Sequence, residues 1–303
     1  MSIITKDLCK NYGDQIAVNN LNIAIKEGEI VGFLGPNGAG KSTTMKMLTG
    51  YIPPSKGEGS VCGWDIVDDS LAIRKIVGYL PEHNPLYLDM YVREFLEFAG
   101  KMGGVSQTQK RVGEVIDLTG LDREKHKKIG QLSKGYRQRV GLAQAIIHDP
   151  DVLILDEPTG GLDPNQVIEI RELIKKLGKT TLLSTHIMQE VEAVCTRVVI
   201  IDKGNLVADS PIEKLANITG EKHHVNATFG SAINVKELSQ LDEVIHVTDK
   251  GNNRYRIEVS SAEGRKSISH FALKNNLEVM ELSSENVSLE QVFQNLTKHV
   301  DHL

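Results

Sequence analysis

Apolar residues recur at two spacings along the chain, and each spacing predicts a different kind of element. Near the N-terminus, Leu21, Ile23 and Ile25 alternate with polar or small neighbours, which is the period-two pattern of a half-buried strand. Residues 29–34 then form a short, mostly apolar run that leads directly into a glycine-rich loop and a helix-compatible stretch at residues 42–49. The order strand, loop, helix is predicted here.

The middle of the chain changes to helical spacing and then returns to short apolar runs. Seven apolar positions at that spacing predict a helical insertion: Val92, Phe95, Leu96, Ala99, Val112, Val115 and Ile116. Three apolar runs follow at residues 151–156, 180–184 and 197–202. Because helical segments separate these runs, we expect a parallel α/β sheet. Asp163 before Pro164 predicts a helix N-cap with proline at the first helical position.

A second unit is predicted after an interruption at residues 210–222. Four strand candidates and two helix candidates follow in the order βαββαβ: residues 224–229, 235–241, 244–248, 255–259, 263–275 and 277–282. This order is typical of a small ferredoxin-like α+β sandwich. Ser288 with Gln291 has the spacing of a capping box that opens a terminal helix.

Composition narrows the function classes. The 303 residues are 40% hydrophobic, which is enough for two domains with separate cores, and a net charge of -5 argues against nucleic-acid binding. The chain has three widely spaced cysteines, Cys9, Cys62 and Cys195, and none forms a CxxC pair. Neither a disulfide framework nor a zinc site is therefore indicated, and we expect the protein to be in a reducing cytoplasm. Residues 1–10 do not have the pattern of a signal peptide, and no apolar run approaches the roughly 20 residues that span a bilayer. Any membrane role is therefore expected to need a partner.

The glycine-rich loop carries the most specific chemical signal. Residues 35–42 match GxxxxGK[ST] directly after a predicted strand and before a predicted helix: Gly35, Pro36, Asn37, Gly38, Ala39, Gly40, Lys41 and Ser42. Backbone N–H groups of such a loop, and of Thr43 after it, approach a nucleotide's phosphates, and the helix N-terminus favours the negative charge. Lys41 is predicted to reach the β and γ phosphates and Ser42 to bind Mg²⁺. A purely structural glycine turn is the weaker alternative in this context.

Two carboxylates follow the apolar run at residues 151–156. Asp156 is predicted to hold the Mg²⁺ and Glu157 to polarise the attacking water as general base. Two acids after an apolar strand also mark a helix N-terminus, but the upstream phosphate loop favours catalysis.

Taken together, these motifs resemble the ABC ATPase family. Residues 132–136, Leu-Ser-Lys-Gly-Tyr, are similar to its LSGGQ signature and depart from it at Lys134 and Tyr136. In the family this segment covers the γ-phosphate bound to the other subunit, so the resemblance assigns Ser133 and Gly135 to nucleotide binding. Ser133 also suits a helix N-cap, and both roles are compatible.

Further positions follow the family order. The resemblance assigns Tyr12 to adenine stacking, Asp163 to the loop at the dimer interface and His186 to the γ-phosphate; Tyr12 and His186 also have ordinary structural alternatives. Glu82 stands where the family usually has a glutamine. An ionised glutamate can bind Mg²⁺ but cannot donate a hydrogen bond, so its part in coupling to the membrane partner is open.

The resemblance implies a P-loop NTPase cassette of α/β class, with a RecA-like parallel sheet, an antiparallel β subdomain and a helical subdomain at about residues 84–150. The predicted domains are 1–215 and 221–303. The implied assembly is a homodimer, or cassette dimer, that binds ATP and Mg²⁺ and docks on an integral membrane permease at the inner face of the cell membrane. Residues 84–100, with Tyr87, Tyr91 and Phe95, are the predicted docking surface, although apolar residues at that spacing suit a local core equally well.

Within the family, residues 288–293 are similar to the C-terminal segment of ABC-2 type exporter ATPases. The whole chain most resembles the gliding-motility ABC ATPases of Bacteroidota. Two rivals come from other classes. A soluble ABC ATPase of translation or DNA repair usually carries two cassettes or long coiled coils, and this sequence has one cassette and no sustained heptads. A P-loop GTPase or kinase would leave residues 132–140, 161–163 and His186 without a role.

Overall fold

The computed structural model describes residues 1–212, 214–215, 223–260, 263–285 and 289–298, which form two units. Described residues 1–212 and 297–298 belong to the first unit, and those from 214 to 296 belong to the second. The predicted domain boundary at residues 210–222 lies largely outside the described residues. The limits 1–215 and 221–303 therefore stay predictions.

The first unit contains eleven strands among the described residues: β1 (Ile3–Tyr12), β2 (Gln15–Leu21), β3 (Ala24–Ile25), β4 (Ile30–Leu34), β5 (Lys56–Val61), β6 (Trp64–Asp65), β7 (Val77–Leu80), β8 (Val152–Asp156), β9 (Thr180–Ser184), β10 (Arg197–Asp202) and β11 (Asn205–Pro211). Its described helices are α1 (Lys41–Leu48), α2 (Ser70–Ile76), α3 (Val92–Met102), α4 (Thr108–Leu118), α5 (Lys134–Ile146), α6 (Pro164–Leu177) and α7 (Met188–Val194), with a short 3₁₀ helix at Ile129–Gln131.

A six-stranded sheet in the order β11-β10-β4-β9-β8-β7 forms the centre of this unit. All pairings except β10 with β11 are parallel, as the three apolar runs predicted. Every residue of β8 and β9 is buried, which is the near-continuous burial expected of strands covered on both faces. Because β4, β9 and β8 are adjacent and parallel, the loops that follow them leave from one edge of the sheet.

An antiparallel sheet, β2-β1-β5-β6 with β3 paired to β1, corrects one prediction. The alternation of Leu21, Ile23 and Ile25 predicts their burial correctly but not a continuous strand, because β2 ends at Leu21 and β3 begins at Ala24. The Thr5 hydroxyl donates to the Leu21 carbonyl at 2.8 Å and accepts from the Ile23 N–H at 3.0 Å. A side chain therefore replaces ladder hydrogen bonds at the break.

The helical part of this unit, α3 to α5, corrects the predicted docking surface. Phe95 is 2% exposed and belongs to the core, whereas Tyr87 and Tyr91 are 57% and 48% exposed. The Tyr87 ring meets the rings of Phe95 and Phe98 edge-on, with centroids about 6 Å apart. Phe95 therefore packs against the exposed Tyr87 ring and is itself not available to a partner.

The second unit contains β12 (His223–Phe229), α8 (Val235–Leu238), β13 (Val244–Asp249), β14 (Arg254–Val259), α9 (Gly264–Lys274) and β15 (Val279–Glu285). It also contains α10 (Leu289–Lys298) up to residue 296. The predicted βαββαβ order is confirmed, and the strands form one antiparallel sheet in the order β13-β14-β12-β15. Val225, Phe229, Ile257 and Ile268 belong to a core made from this unit's own residues. Ser288 of the predicted capping box lies outside the described residues.

Separate cores lead to the first prediction. A chain that ends before Glu221 should fold and bind ATP with an affinity similar to that of the full chain, because the nucleotide motifs and their core lie in residues 1–212. Circular dichroism, thermal unfolding and fluorescent ATP titration of both chains measure this. An insoluble product, or one that does not bind ATP, would show that the boundary is misplaced.

Candidate functional site

The glycine-rich loop connects β4 to α1, as predicted. Gly40 has a φ of 105°, and a Cβ at this position would lie 2.3 Å from the Ala17 carbonyl oxygen, so a side chain cannot be accommodated. Gly38 has a φ of 81° and would meet nothing within 4 Å, so its backbone faces open space. One glycine therefore allows close packing against β2, and the other leaves room for a ligand.

Lys41 is at the start of α1 and is 9% exposed. Its Nζ donates to the carbonyl oxygens of Gly35 at 2.6 Å and Pro36 at 3.0 Å. Burial lowers the pKa of the Lys41 ammonium, while the carboxylates of Glu157, Asp156 and Glu82 oppose that shift. The loop thus holds an ammonium group beside three carboxylates at the N-terminus of a helix.

Asp156 and Glu157 stand at the end of β8. Asp156 is 2% exposed and accepts a hydrogen bond from the Ser184 hydroxyl at the end of β9. Glu157 adopts a left-handed backbone with φ of 51°, which is uncommon for a residue with a side chain. Its N–H donates to the Ser184 carbonyl at 3.1 Å, and its own carbonyl accepts from the Gln138 amide at 3.1 Å. The turn that aims Glu157 is therefore held from β9 and from α5.

Glu157 and His186 form a direct pair. His186 Nδ1 lies 2.8 Å from Glu157 Oε2, and the side chain of Glu157 is 15% exposed. Burial raises the pKa of the Glu157 carboxyl, and the hydrogen bond from His186 is the largest influence that opposes the rise. A carboxyl with a raised pKa beside a histidine in a cleft is a suitable general base.

A cavity of about 880 Å³ brings most of the predicted site together. Eleven predicted residues line it: Tyr12, Asn37, Gly38, Gly40, Lys41, Ser42, Thr43, Glu82, Asp156, Glu157 and His186. Six do not: Gly35, Pro36, Ala39, Ser133, Gly135 and Asp163. The first three of these belong to the loop itself. The remaining three belong to the signature and interface segments.

Among the signature and interface residues, Ser133 and Asp163 act locally as helix caps, whereas Gly135 is buried within α5, where a Cβ would lie 2.3 Å from Gln166 Oε1. Ser133 is exposed, and its hydroxyl accepts from the Tyr136 N–H at 3.4 Å at the start of α5. Asp163 accepts from the N–H groups of Asn165 and Gln166 at 3.1 Å, so its predicted role as the N-cap of α6 is confirmed. Their predicted contact with nucleotide is not made within this chain's own cavity and stays a prediction.

Sequence reasoning assigned no role in the cavity to Gln15, His83 or Lys134, which also line it. Lys134 is one of the two departures from the LSGGQ pattern, and that departure was the available signal. A Cβ on Gly161 would lie 2.4 Å from Lys134 Nζ, so the lysine packs directly over this glycine. A second ammonium group therefore lies at the rim of the cavity.

Tyr12 ends β1 and is 51% exposed at the cavity. Lys10 Nζ lies 5.4 Å from the centroid of its ring. An exposed aromatic face at a nucleotide-sized cavity is suitable for stacking on a base, and the assignment stays a prediction.

The predicted Mg²⁺ ligands Ser42, Asp156 and Glu82 line the same cavity. The described residues contain no group of three or more His, Cys, Asp or Glu side chains placed to hold a metal ion. Mg²⁺ in phosphate sites needs only one or two carboxylates, because substrate oxygens and water complete its shell. A hydroxyl with one or two carboxylates therefore fits Mg²⁺ bound together with phosphates.

Among the helices the structure describes, none combines the length and the apolar character that a membrane span requires.

Comparison with protein families matches residues 18–160 to the ABC transporter model. The bacitracin transport ATP-binding protein of Bacillus licheniformis is 34% identical over 96% of this chain and 95% of its own length. The linearmycin resistance ATP-binding protein of Bacillus subtilis is 33% identical over 96% of this chain and 97% of its own length. Both relatives thus match nearly the whole chain, including the second unit.

Solved structures match over a shorter part. An ATP-binding subunit of an ABC transporter is 30% identical with a TM-score of 0.68 and covers 73% of this chain and 94% of its own. A dimeric ATP-binding cassette in a post-hydrolysis state, bound to ADP and phosphate, is 28% identical with a TM-score of 0.64 and covers 69% and 98%. The fold is therefore that of the ABC cassette, as predicted.

Proposed function

We propose that this chain, which belongs to the ABC transporter family as an ATP-binding subunit, hydrolyses ATP to drive an exporter of the ABC-2 type. The observation that carries the proposal is the Glu157–His186 pair at 2.8 Å in the cavity that also contains Lys41. An ammonium group for the phosphates and a general base for water are the two parts that phosphoryl transfer to water requires.

Each side chain has a defined task in this proposal. Lys41 exchanges its loop carbonyl partners for the β and γ phosphates, and the glycine-rich loop supplies N–H groups. Glu157 orients the attacking water and accepts its proton, while His186 holds the Glu157 carboxylate and contacts the γ-phosphate. Ser42, Asp156 and Glu82 would hold Mg²⁺, which neutralises charge on the phosphate oxygens.

A shared site explains the residues that the cavity leaves out. Ser133, Gly135 and Asp163 do not line the cavity of their own chain, and Ser133 is exposed at the N-terminus of α5. In a cassette dimer these residues would face the nucleotide held by the partner's phosphate loop. The dimeric solved relative supports this arrangement.

The names of the relatives support export across a membrane rather than work on nucleic acid. They refer to bacitracin transport, linearmycin resistance and, in Burkholderia orbicola, Nod factor export. We propose an integral membrane permease as partner and a place on the cytoplasmic face of the cell membrane. None of these names refers to gliding motility, so that assignment stays a prediction from sequence, and the translation or DNA-repair alternative is not favoured.

Two measurements test the proposal. The purified chain should release phosphate from ATP in the presence of Mg²⁺, and EDTA should stop the reaction because the bound nucleotide loses its metal. Pull-down of the chain from detergent-solubilised membranes should recover one integral membrane protein. Copurification with ribosomes or DNA instead, or preference for GTP, would contradict the assignment.

A further inference from the structure

Glu190 belongs to the first turn of α7 and is 1% exposed. Its Oε2 accepts a hydrogen bond from the Thr159 hydroxyl at 2.5 Å and another from the Thr185 hydroxyl at 2.9 Å. Both threonines are buried, at 4% and 0% exposure. One carboxylate oxygen thus joins two segments of the chain that are distant in sequence, one at Thr159 and the other at Thr185.

The two threonines are next to the residues proposed to act on ATP. Thr159 is two residues after Glu157, and Thr185 directly precedes His186. The Glu157 turn has a strained left-handed backbone, and the exposed His186 lies between β9 and α7. Neither segment is regular secondary structure at that point. The hydrogen bond from the Glu157 N–H to the Ser184 carbonyl joins the two segments where they leave the sheet. Beyond that point their separation depends on side-chain contacts such as those to Glu190.

A buried carboxylate is costly unless its charge is compensated. Arg171 of α6 has its Nη2 3.7 Å from Glu190 Oε1, so a cation faces the oxygen that the threonines leave open. A hydrophobic residue of similar size would fill the space without that cost. What the carboxylate provides, and a hydrophobic residue cannot, is one acceptor oxygen for two hydroxyl donors.

We propose that Glu190 is a positioning residue for ATP hydrolysis. By accepting from both threonines, it fixes the Glu157 segment against the His186 segment and so maintains the hydrogen bond between Glu157 and His186. The inference depends on the proposed function, because it names what holds that function's catalytic pair in place. A displacement of about 1 Å at a reacting group is enough to lower a rate by about 100-fold.

Hydroxyl substitutions at the two threonines test this while leaving the Glu190 carboxylate and Arg171 in place. Thr159→Val is the simpler of the two, because the Thr185 hydroxyl also accepts from the Ile187 N–H at 3.1 Å. Thr159→Val and Thr185→Val should each lower kcat about tenfold or more, with KM for ATP within about twofold of wild type, since neither threonine lines the nucleotide cavity. Thr159→Ser and Thr185→Ser keep the donor and should restore most of kcat. Thr119→Val removes another buried hydroxyl, at 1% exposure, that bonds only within α4, and should leave kcat unchanged.

A double variant separates positioning from general loss of structure. If the threonine acts through Glu157, adding Thr159→Val to Glu157→Gln should not reduce single-turnover hydrolysis further. A further multiplicative loss, or wild-type kcat in both valine variants, would overturn the role of Glu190. If the wild-type chain itself shows no ATP hydrolysis, the proposed function fails, which is a different result from active wild type with unaffected valine variants.

Discussion

Replacing Lys41 with alanine is expected to abolish ATP turnover and to weaken ATP binding strongly. The ammonium is held in the loop by two carbonyl oxygens and faces Glu157, Asp156 and Glu82 in a buried position. Loss of a preorganised group that stabilises developing charge typically costs about 100- to 1000-fold in rate. Phosphate release and fluorescent-nucleotide titration measure the two effects separately.

Lys46→Ala is the matched control for this variant. Lys46 is also on α1, in its last turn, and does not line the nucleotide cavity. It should therefore keep wild-type turnover and affinity. Turnover at the wild-type level in Lys41→Ala would show that the glycine-rich loop does not bind the phosphates.

Local chemistry explains which parts of the site the sequence predicts. The phosphate loop needs glycine where the backbone must be close to Ala17, and the two carboxylates Asp156 and Glu157 must follow a buried strand. Each requirement therefore produces a motif with fixed residue spacing that can be recognised in the sequence. Because β4, β8 and β9 are parallel neighbours, these separate spacings meet at one edge of the sheet. The βαββαβ order of the second unit is also predictable, because it follows from the spacing of apolar residues along each strand and helix.

The remainder depends on contacts between residues distant in sequence. The helical spacing of apolar residues identifies the apolar face of a helix but not what covers that face. The sequence therefore predicts a docking surface and a local core equally well for Phe95. The break after Leu21 depends on the hydroxyl of Thr5, and the shared acceptor of Thr159 and Thr185 depends on Glu190. Lys134 reaches the cavity because it packs on Gly161. None of these contacts joins residues at a fixed sequence spacing, so no sequence motif predicts them.

Replacing Glu157 with glutamine should prevent hydrolysis while ATP still binds. Glutamine keeps a carbonyl oxygen and the shape of the side chain but cannot accept a proton, and loss of a general base typically costs about 100- to 10,000-fold. If each site is shared, trapped ATP is held by Lys41 of one subunit and Ser133 of the other. A ligand that binds only the closed state shifts the population to it, so the variant should be a monomer without nucleotide and a dimer with ATP.

Adding Ser133→Arg to Glu157→Gln tests whether the dimer depends on the shared site. Ser133 is exposed at the start of α5 and does not line its own chain's cavity, so arginine there should leave ATP binding to the monomer intact. In the dimer the same side chain would place bulk and charge against the partner's nucleotide, and the ATP-dependent dimer should disappear. Size-exclusion chromatography with light scattering measures both variants with and without ATP. An oligomeric state that ignores ATP in both variants would contradict a shared site in the isolated subunit, because nucleotide bound between two chains cannot leave their association unchanged.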